Sequence, residues 1–281
     1  LTNPFLGHEA EPLEKAENPK KVMVIGGGVA GLSAAFIAKE RGHEVTLYEA
    51  GDVLGGNMRL AAYPPGKGDI TNMIRSYIHR CQKDGVKIVM NCEVTPELIK
   101  EEKPDSVIIA TGSKTLILPI EGIDNPAIIH GSDLLDGKRA AGKKVLVVGG
   151  GMVGCETAAF LGEQEHDVTV IEFRDTVGAD VIHEHRVYLM KDFEDYGIKE
   201  ITGAKVCKFY EDGVEYETAD GVRHESRGYD SVILSMGFRN YNPLEEKIKD
   251  LLPETHVIGD AIRARRALDA TKEAYEVASR I

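Results

Sequence analysis

The stretch KVLVVGGGMVGCE at 144–156 repeats a pattern that the chain has already written as KVMVIGGGVAGLS at 21–33. Each copy reads as a short apolar strand of the buried parallel type, broken by a glycine turn. A run of small and apolar residues follows, suited to a helix packed on a sheet, and then a second strand, HEVTLYE at 43–49 or DVTVIE at 167–172. Residues 20–49 and 143–172 align without a gap, and about half of them are identical. The shared positions include three successive glycines, Gly31 or Gly154, His43 or His166, and a terminal Glu49 or Glu172. This is duplication of a whole βαβ unit, not a short-period solenoid. One position departs: Gly42 is placed for a left-handed helix end, but Glu165 stands there in the second copy. That helix either ends without a glycine or accepts some strain.

The glycine spacing has a chemical reading. A dinucleotide carries a doubly charged pyrophosphate that backbone must approach closely. Gly26 permits the tight turn, Gly28 leaves space for the phosphates, and Gly31 lets helix and strand pack together. The helix start at Val29 and Ala30 offers unpaired N–H groups and partial positive charge. Glu49 ends the next strand, where it can accept hydrogen bonds from ribose hydroxyls. In the second copy these roles fall to Gly149, Gly151, Met152, Val153, Gly154 and Glu172. A single GxGxxG is weak evidence, since such a turn can simply join a strand to a helix. Two copies, each followed by an acid at the end of its next strand, point to two nucleotides. Glu172 would repel a 2′-phosphate, which favours NADH over NADPH, while Arg174 two residues on works the other way.

The bulk properties fit this reading and exclude others. A chain of 281 residues has room for two domains, and 42% hydrophobic with 28% charged residues is the composition of a soluble globular protein. A net charge of −12 argues against nucleic acid as a partner. No apolar run approaches the roughly 20 residues that span a bilayer, so no membrane partner is expected. The chain begins at Leu1 without a signal peptide, which suggests trimming from a longer polypeptide. Cys81, Cys92, Cys155 and Cys207 form no CxxC or CxxxxC pair, which suggests a reducing cytoplasm. Cys155 lies in the first turn of the second cradle helix and suits packing there. His183-Glu184-His185 lacks a third partner at metal-ligand spacing and reads as a solvated face, so no metal site is expected. RARR at 263–266 is the one dense basic patch, open to a phosphate, a docking partner or plain solvent.

DSVIIATG at 105–112 and DSVILSMG at 230–237 are a second pair of matching strands, ending in Gly112 and Gly237. The alternating VCKFYEDGVEYETADGVRH carries two Asp-Gly turn signals and predicts a small antiparallel excursion. HVIGD and the residues after it predict a strand, a Gly-Asp turn and a closing helix. Residues 1–19, with three prolines and several charges, read as an arm or linker. The expected fold class is α/β, with two Rossmann-like dinucleotide-binding domains built on parallel sheets with helices and small antiparallel excursions.

GGGVAG with Glu49, LGG at 54–56, ATG at 110–112, the second glycine turn and Gly259-Asp260 occur in the order of the two-dinucleotide flavoprotein reductases. NPFLGHE at 3–9, LGGNMRLAAYPPGK at 54–67 and GGGMVGCETAAFL at 149–161 narrow the likeness. They resemble the C-terminal half of 2-enoate and 2,4-dienoyl-CoA reductases, multi-centre relatives of old yellow enzyme. The resemblance covers nearly the whole chain. It implies an FAD-binding domain formed by 20–118 and 241–281, with an NAD(H)-binding domain at 119–240 inserted in it. It also implies an N-terminal FMN barrel and a [4Fe–4S] cluster, in the same polypeptide or a separate subunit, that this sequence does not contain. Disulfide reductases place a cysteine pair where this chain has NMRLAAYPPGK, and thioredoxin reductases place CxxC where only Cys155 appears.

The resemblance assigns further residues. Gly55, Gly56 and Asn57 bring backbone close to the flavin or merely form a turn. Thr111 and Gly112 border FAD or only pack the sheet. Asp260 holds the ribityl or ribose side of FAD, or caps the segment after it. The helix from Leu268 aims its start at the flavin ring, and Glu156 lies near the nicotinamide or serves as a helix-start acid. No acid–base catalyst is required, and none is assigned. The function implied is electron transfer from NADH to FAD and then singly to the iron–sulfur and FMN centres, for reduction of an activated C=C bond. A free-standing NADH oxidase or diaphorase, and a non-catalytic nucleotide sensor, remain as alternatives.

Overall fold

The computed structural model describes residues 3, 4, 6, 7, 12–251 and 254–281. Part of the opening segment therefore lies outside the described residues. Within its described part, Leu13 packs against the first domain core and the Ala16 N–H donates to Arg41 O at 2.9 Å. The chain forms two compact units: Leu1–Ala62, Asp69–Lys114 and Arg239–Ile281 make the first, and Tyr63–Gly68 with Thr115–Phe238 make the second.

The first unit is built on five parallel strands, in the order Thr255–Val257, Ser106–Ile109, Lys21–Ile25, Glu44–Tyr48 and Lys87–Val89. Val22 pairs with Val45 and Ser106, and Val24 with Leu47 and Ile108. Both faces of this sheet are covered, which is why its central strands are unbroken apolar runs. On one face Val22, Val24, Leu47 and Ile108 meet the helices Val29–Glu40 and Ala267–Ala278. Ala34, Ala35 and Ala38 are fully buried, and their small side chains let the first helix lie close to the sheet. On the other face Met23, Ile25, Val107 and Ile109 pack with Ile99 and Ile248 from two short helices, Pro96–Glu102 and Glu245–Ile248, and with Leu244 just before the second. A third long helix, Asp69–Lys83, sets Tyr77 edge-on against Phe36, with ring centres 5.4 Å apart.

The second unit repeats the plan with strands Ile129–His130, Ser231–Leu234, Lys144–Val148, Asp167–Ile171 and Lys199–Ile201, again all parallel. The helix Met152–Glu163 covers one face through Cys155, Ala158 and Ala159, beside a helix at His183–Asp195. The other face is closed differently, by an antiparallel sheet of Lys205–Tyr210, Gly213–Glu217 and Arg223–Ser226. Phe209 and Val214 from that sheet pack on Leu146, Val148 and Ile171. The Asp-Gly signals thus mark a real antiparallel excursion, and the α/β reading holds. At the end of the second cradle helix Glu165 adopts φ +63°, where Gly42 has +102°, so the strained outcome is the one the chain takes. Among the described residues no helix is long and apolar enough to cross a membrane.

Candidate functional site

The two glycine turns are built by backbone geometry that tolerates no side chain. Gly26 has φ +109° and Gly149 +105°, and a Cβ on either would lie 2.3 or 2.4 Å from a carbonyl oxygen of the neighbouring strand. A Cβ on Gly31 would lie 1.9 Å from Gly26 O, and one on Gly154 1.8 Å from Gly149 O. These four glycines bring helix and strand together, as the spacing predicted. Gly28 is different: the nearest atom to its added Cβ is Gly56 Cα, at 4.0 Å. That open room, in front of the helix start at Val29, Ala30 and Gly31, fits a group that approaches the backbone closely.

The terminal acids are held in matching positions. Glu49 accepts the Gly27 and Gly51 N–H groups, each at 2.7 Å. Glu172 accepts the Gly150 N–H at 2.5 Å and the Arg174 N–H at 2.9 Å. Each carboxylate is fixed beside its turn, and each oxygen keeps a lone pair for a ribose hydroxyl. The middle glycines, given no role by the spacing, are required by these acids. A Cβ on Gly27 would meet Glu49 and Leu54, and one on Gly150 would meet Glu172 and Val177.

Around the first turn the structure gathers most of the other candidates. Gly55 bridges to Gly28 in parallel fashion, and a Cβ on Gly56 would lie 3.1 Å from Gly28 Cα. The Asn57 amide donates to Ser113 O and Oγ at 3.2 Å, and Ser113 Oγ donates to Asp260 at 2.9 Å. Asp260 also accepts the Arg265 N–H at 3.1 Å, so it caps the segment after it. Gly259 sits against Ala30, 2.9 Å from an added Cβ, and its N–H donates to Glu273 at 2.7 Å. Thr111 Oγ1 donates to Tyr241 O at 2.5 Å, and Gly112 O accepts the Tyr241 N–H at 2.9 Å. Leu268 lies in the first turn of the closing helix, Ala267–Ala278, and is 44% exposed.

The second unit assembles fewer of the candidates and adds others. Gly237 has φ +96°, and its carbonyl accepts the Leu116 N–H at 2.8 Å. A cleft of about 160 Å³ is lined by Val148, Ile171, Glu172, Phe173 and Met236 among others. Phe173, 69% exposed, offers a free ring beside it. Glu156 forms an ion pair with Lys67. Asp180 accepts the Met152 N–H at 2.9 Å. Phe173 stands next to the acid and so was within reach of the sequence. Lys67 and Asp180 are distant in sequence from their partners, and no local pattern marked them. Cys155 is buried, its thiol donates to Gly150 O at 3.1 Å, and burial pushes its pKa up to about 12. It packs rather than reacts. His183, Glu184 and His185 are exposed, and no cluster able to hold a metal occurs among the described residues.

A family model described as pyridine nucleotide-disulphide oxidoreductase matches residues 20–255. The chain belongs to that family. It is an FAD-containing NAD(P)H oxidoreductase module, with FAD and NAD(H) as its cofactors, and the turns described above fit both. The likeness to enoate-reductase-type modules also holds. Cinnamate reductase of Clostridium sporogenes is 35% identical over 99% of the chain and 42% of its own length. An NADH oxidase of Thermoanaerobacter brockii is 34% identical over 99% of the chain and 44% of its own. The structure of a 2-naphthoyl-CoA reductase with 2-naphthoyl-CoA superposes with a TM-score of 0.93 at 33% identity, covering 99% of this chain and 43% of that one. The chain thus spans less than half the length of these relatives.

Proposed function

We propose that this chain is the electron-input module of a larger reductase, in which FAD occupies the first glycine turn and NADH the second. When bound, the nicotinamide supplies an electron pair and the flavin is the group able to divide it into single electrons. The onward carriers are a [4Fe–4S] cluster and FMN, held by an N-terminal module or separate subunit, and the final substrate is an activated C=C bond. The observation that carries this reading is the duplicated placement of an acid on a glycine turn, Glu49 and Glu172 each accepting two backbone N–H groups. The relatives' names and their longer chains support the partner module and the substrate class.

In this reading Gly26, Gly28 and Gly31 shape the FAD turn, with the N–H groups of Val29 and Ala30 toward its pyrophosphate and Glu49 on its ribose. Gly55, Gly56, Asn57, Thr111, Gly112, Gly259 and Asp260 bound the rest of the flavin, and the helix start at Leu268 faces its ring. Gly149, Gly151, Gly154, Met152 and Val153 receive the NADH pyrophosphate, Glu172 the ribose, and Phe173 the adenine face. Gly237 borders that nucleotide as Gly112 borders the first. Glu156 stands toward the nicotinamide, and Lys67 fixes its carboxylate by pairing with it. The separated, unpaired cysteines suit the reducing cytoplasm as the place of action.

Anaerobic addition of NADH to the FAD-loaded chain tests the proposal. The expected outcome is bleaching of the flavin band at about 450 nm, with NADPH slower because Glu172 repels its 2′-phosphate. An unchanged spectrum would sink the enzyme reading in favour of a sensor. A second reading, a free-standing NADH oxidase, is favoured by the Thermoanaerobacter brockii relative. Admitting air separates the two: slow recolouring supports the relay, and rapid turnover with oxygen supports the oxidase.

A further inference from the structure

The duplicated register runs on past the two acids. Gly55 N–H donates to Gly27 O at 2.8 Å, and Gly178 N–H donates to Gly150 O at 2.7 Å. Leu54 lies against Gly27 as Val177 lies against Gly150. Two residues beyond those N–H donors the copies part, with Asn57 in the first and Asp180 in the second. Asn57 turns its amide away from the turn, to Ser113. Asp180 does the opposite. Its Oδ1 accepts the Met152 N–H at 2.9 Å, and its Oδ2 lies 3.3 Å from where a Cβ on Gly151 would stand.

The acid therefore lies over the glycine whose missing side chain makes room for a phosphate, and it holds an N–H at the start of the second cradle helix. The equivalent position at Gly28 has nothing closer than a backbone carbon. One N–H serves a carboxylate or a pyrophosphate, and the two anions repel each other at such range. Binding at the second turn is then a displacement, whereas binding at the first is an addition.

We infer that Asp180 is a resident anion that competes with the nucleotide pyrophosphate at the second turn and sets how readily NADH exchanges there. The neutral Asn57 leaves the first turn able to keep its dinucleotide. This rests on the assignment of NADH to the second turn. It supplies a physical reason why one duplicated cradle serves an exchanged donor and the other a retained cofactor. A carboxylate on a helix-start N–H also costs something to remove, since its loss leaves that donor unpaired until a phosphate arrives.

The test is calorimetric titration of the FAD-loaded chain with ADP-ribose, which carries adenosine and pyrophosphate but no nicotinamide. Asp180→Asn keeps the shape and removes the charge, while Asp180→Ala removes both charge and hydrogen bond. Both variants are expected to bind ADP-ribose about five- to tenfold more tightly than the unaltered chain, with flavin content unchanged. NADH release, followed by stopped flow, should slow by a similar factor. Equal or weaker binding by folded variants, beside normal binding by the unaltered chain, overturns the inference and leaves the nucleotide assignment standing. Failure of the unaltered chain to bind ADP-ribose at all overturns both.

Discussion

Gly31 and Gly28 stand three residues apart in one turn, as Gly154 and Gly151 do in the other, yet they are glycines for different reasons. An added Cβ on Gly31 or Gly154 would sit inside a backbone carbonyl contact, at 1.9 or 1.8 Å. An added Cβ on Gly28 meets no protein atom nearer than 4.0 Å, and on Gly151 the nearest is a carboxylate oxygen of Asp180 at 3.3 Å. The inner pair is therefore alike in both copies because the protein's own packing demands it. The outer pair differs in its surroundings, open at Gly28 and carboxylate-lined at Gly151. The copies are alike where packing decides, and they differ at the position proposed to face the ligand.

The sharpest way to break this comparison is to put alanine at each position. Gly31→Ala forces helix from strand and is expected to cost about 3 kcal/mol or more, enough to compromise folding of its unit. Gly28→Ala should leave stability within about 0.5 kcal/mol, since its φ of −73° suits any residue, yet strip the purified protein of flavin. Urea unfolding and the flavin-to-protein absorbance ratio read the two effects separately. If Gly28→Ala retains its flavin, the outer glycine does not face a phosphate and the contrast fails.

A second difference lies in the matched histidines, His43 and His166. His43 is buried, and its Nδ1 accepts the Lys20 N–H at 3.0 Å, so that nitrogen carries no proton. Burial, with the nearby Arg41 and Lys20 charges adding to it and Glu254 opposing, holds its pKa below the usual value for histidine. His166 instead places Nδ1 2.7 Å from Gly142 O, where it donates. The sign follows directly. The unfolded chain takes up a proton at His43 near pH 6.5 and the folded chain resists it, so this contribution is present above that pH and is lost as pH falls through the folded pKa. One proton gives a slope of at most about 1.4 kcal/mol per pH unit. His43→Gln should flatten the fall in unfolding free energy between pH 7 and pH 5. A slope left unchanged by His43→Gln would show that the buried His43 is not its source.

The sequence alone carried the duplicated units because buried parallel strands leave apolar runs, and turns that exclude Cβ atoms leave glycines at fixed spacing. Other parts were harder to read for identifiable reasons. The helix Asp69–Lys83 places Ile70, Ile74, Tyr77, Ile78 and Cys81 at helical spacing, but the charged and polar residues between them obscure the pattern. Asp180 and Lys67 were beyond local reach, since their contacts with Met152 and Glu156 join segments 28 and 89 residues apart. Gly27 and Gly150 were visible as glycines, but their reason lies in the acid side chains folded over them. Packing rules are written in local pattern, whereas electrostatic partners are chosen by the fold.

The smallest expected effect comes from the one place where the second copy lost a glycine that the first kept. Gly42 leaves its helix at φ +102° with nothing within 4 Å of an added Cβ, so only backbone conformation selects glycine there. Glu165 takes φ +63° at the matching end, is exposed, and engages Lys143 through its carbonyl rather than its side chain. A left-handed non-glycine residue costs about 1–2 kcal/mol, and the extra freedom that glycine gives the unfolded chain returns about half of that. Glu165→Gly should therefore raise unfolding free energy by about 0.5–1 kcal/mol, seen as a shift of roughly 2 °C in melting temperature. Gly42→Glu should lower stability by a similar amount, because the duplicated geometry makes the two exchanges mirror images. If Glu165→Gly destabilises instead, the glutamate side chain makes a contribution at that helix end, and the two helix ends are not equivalent after all.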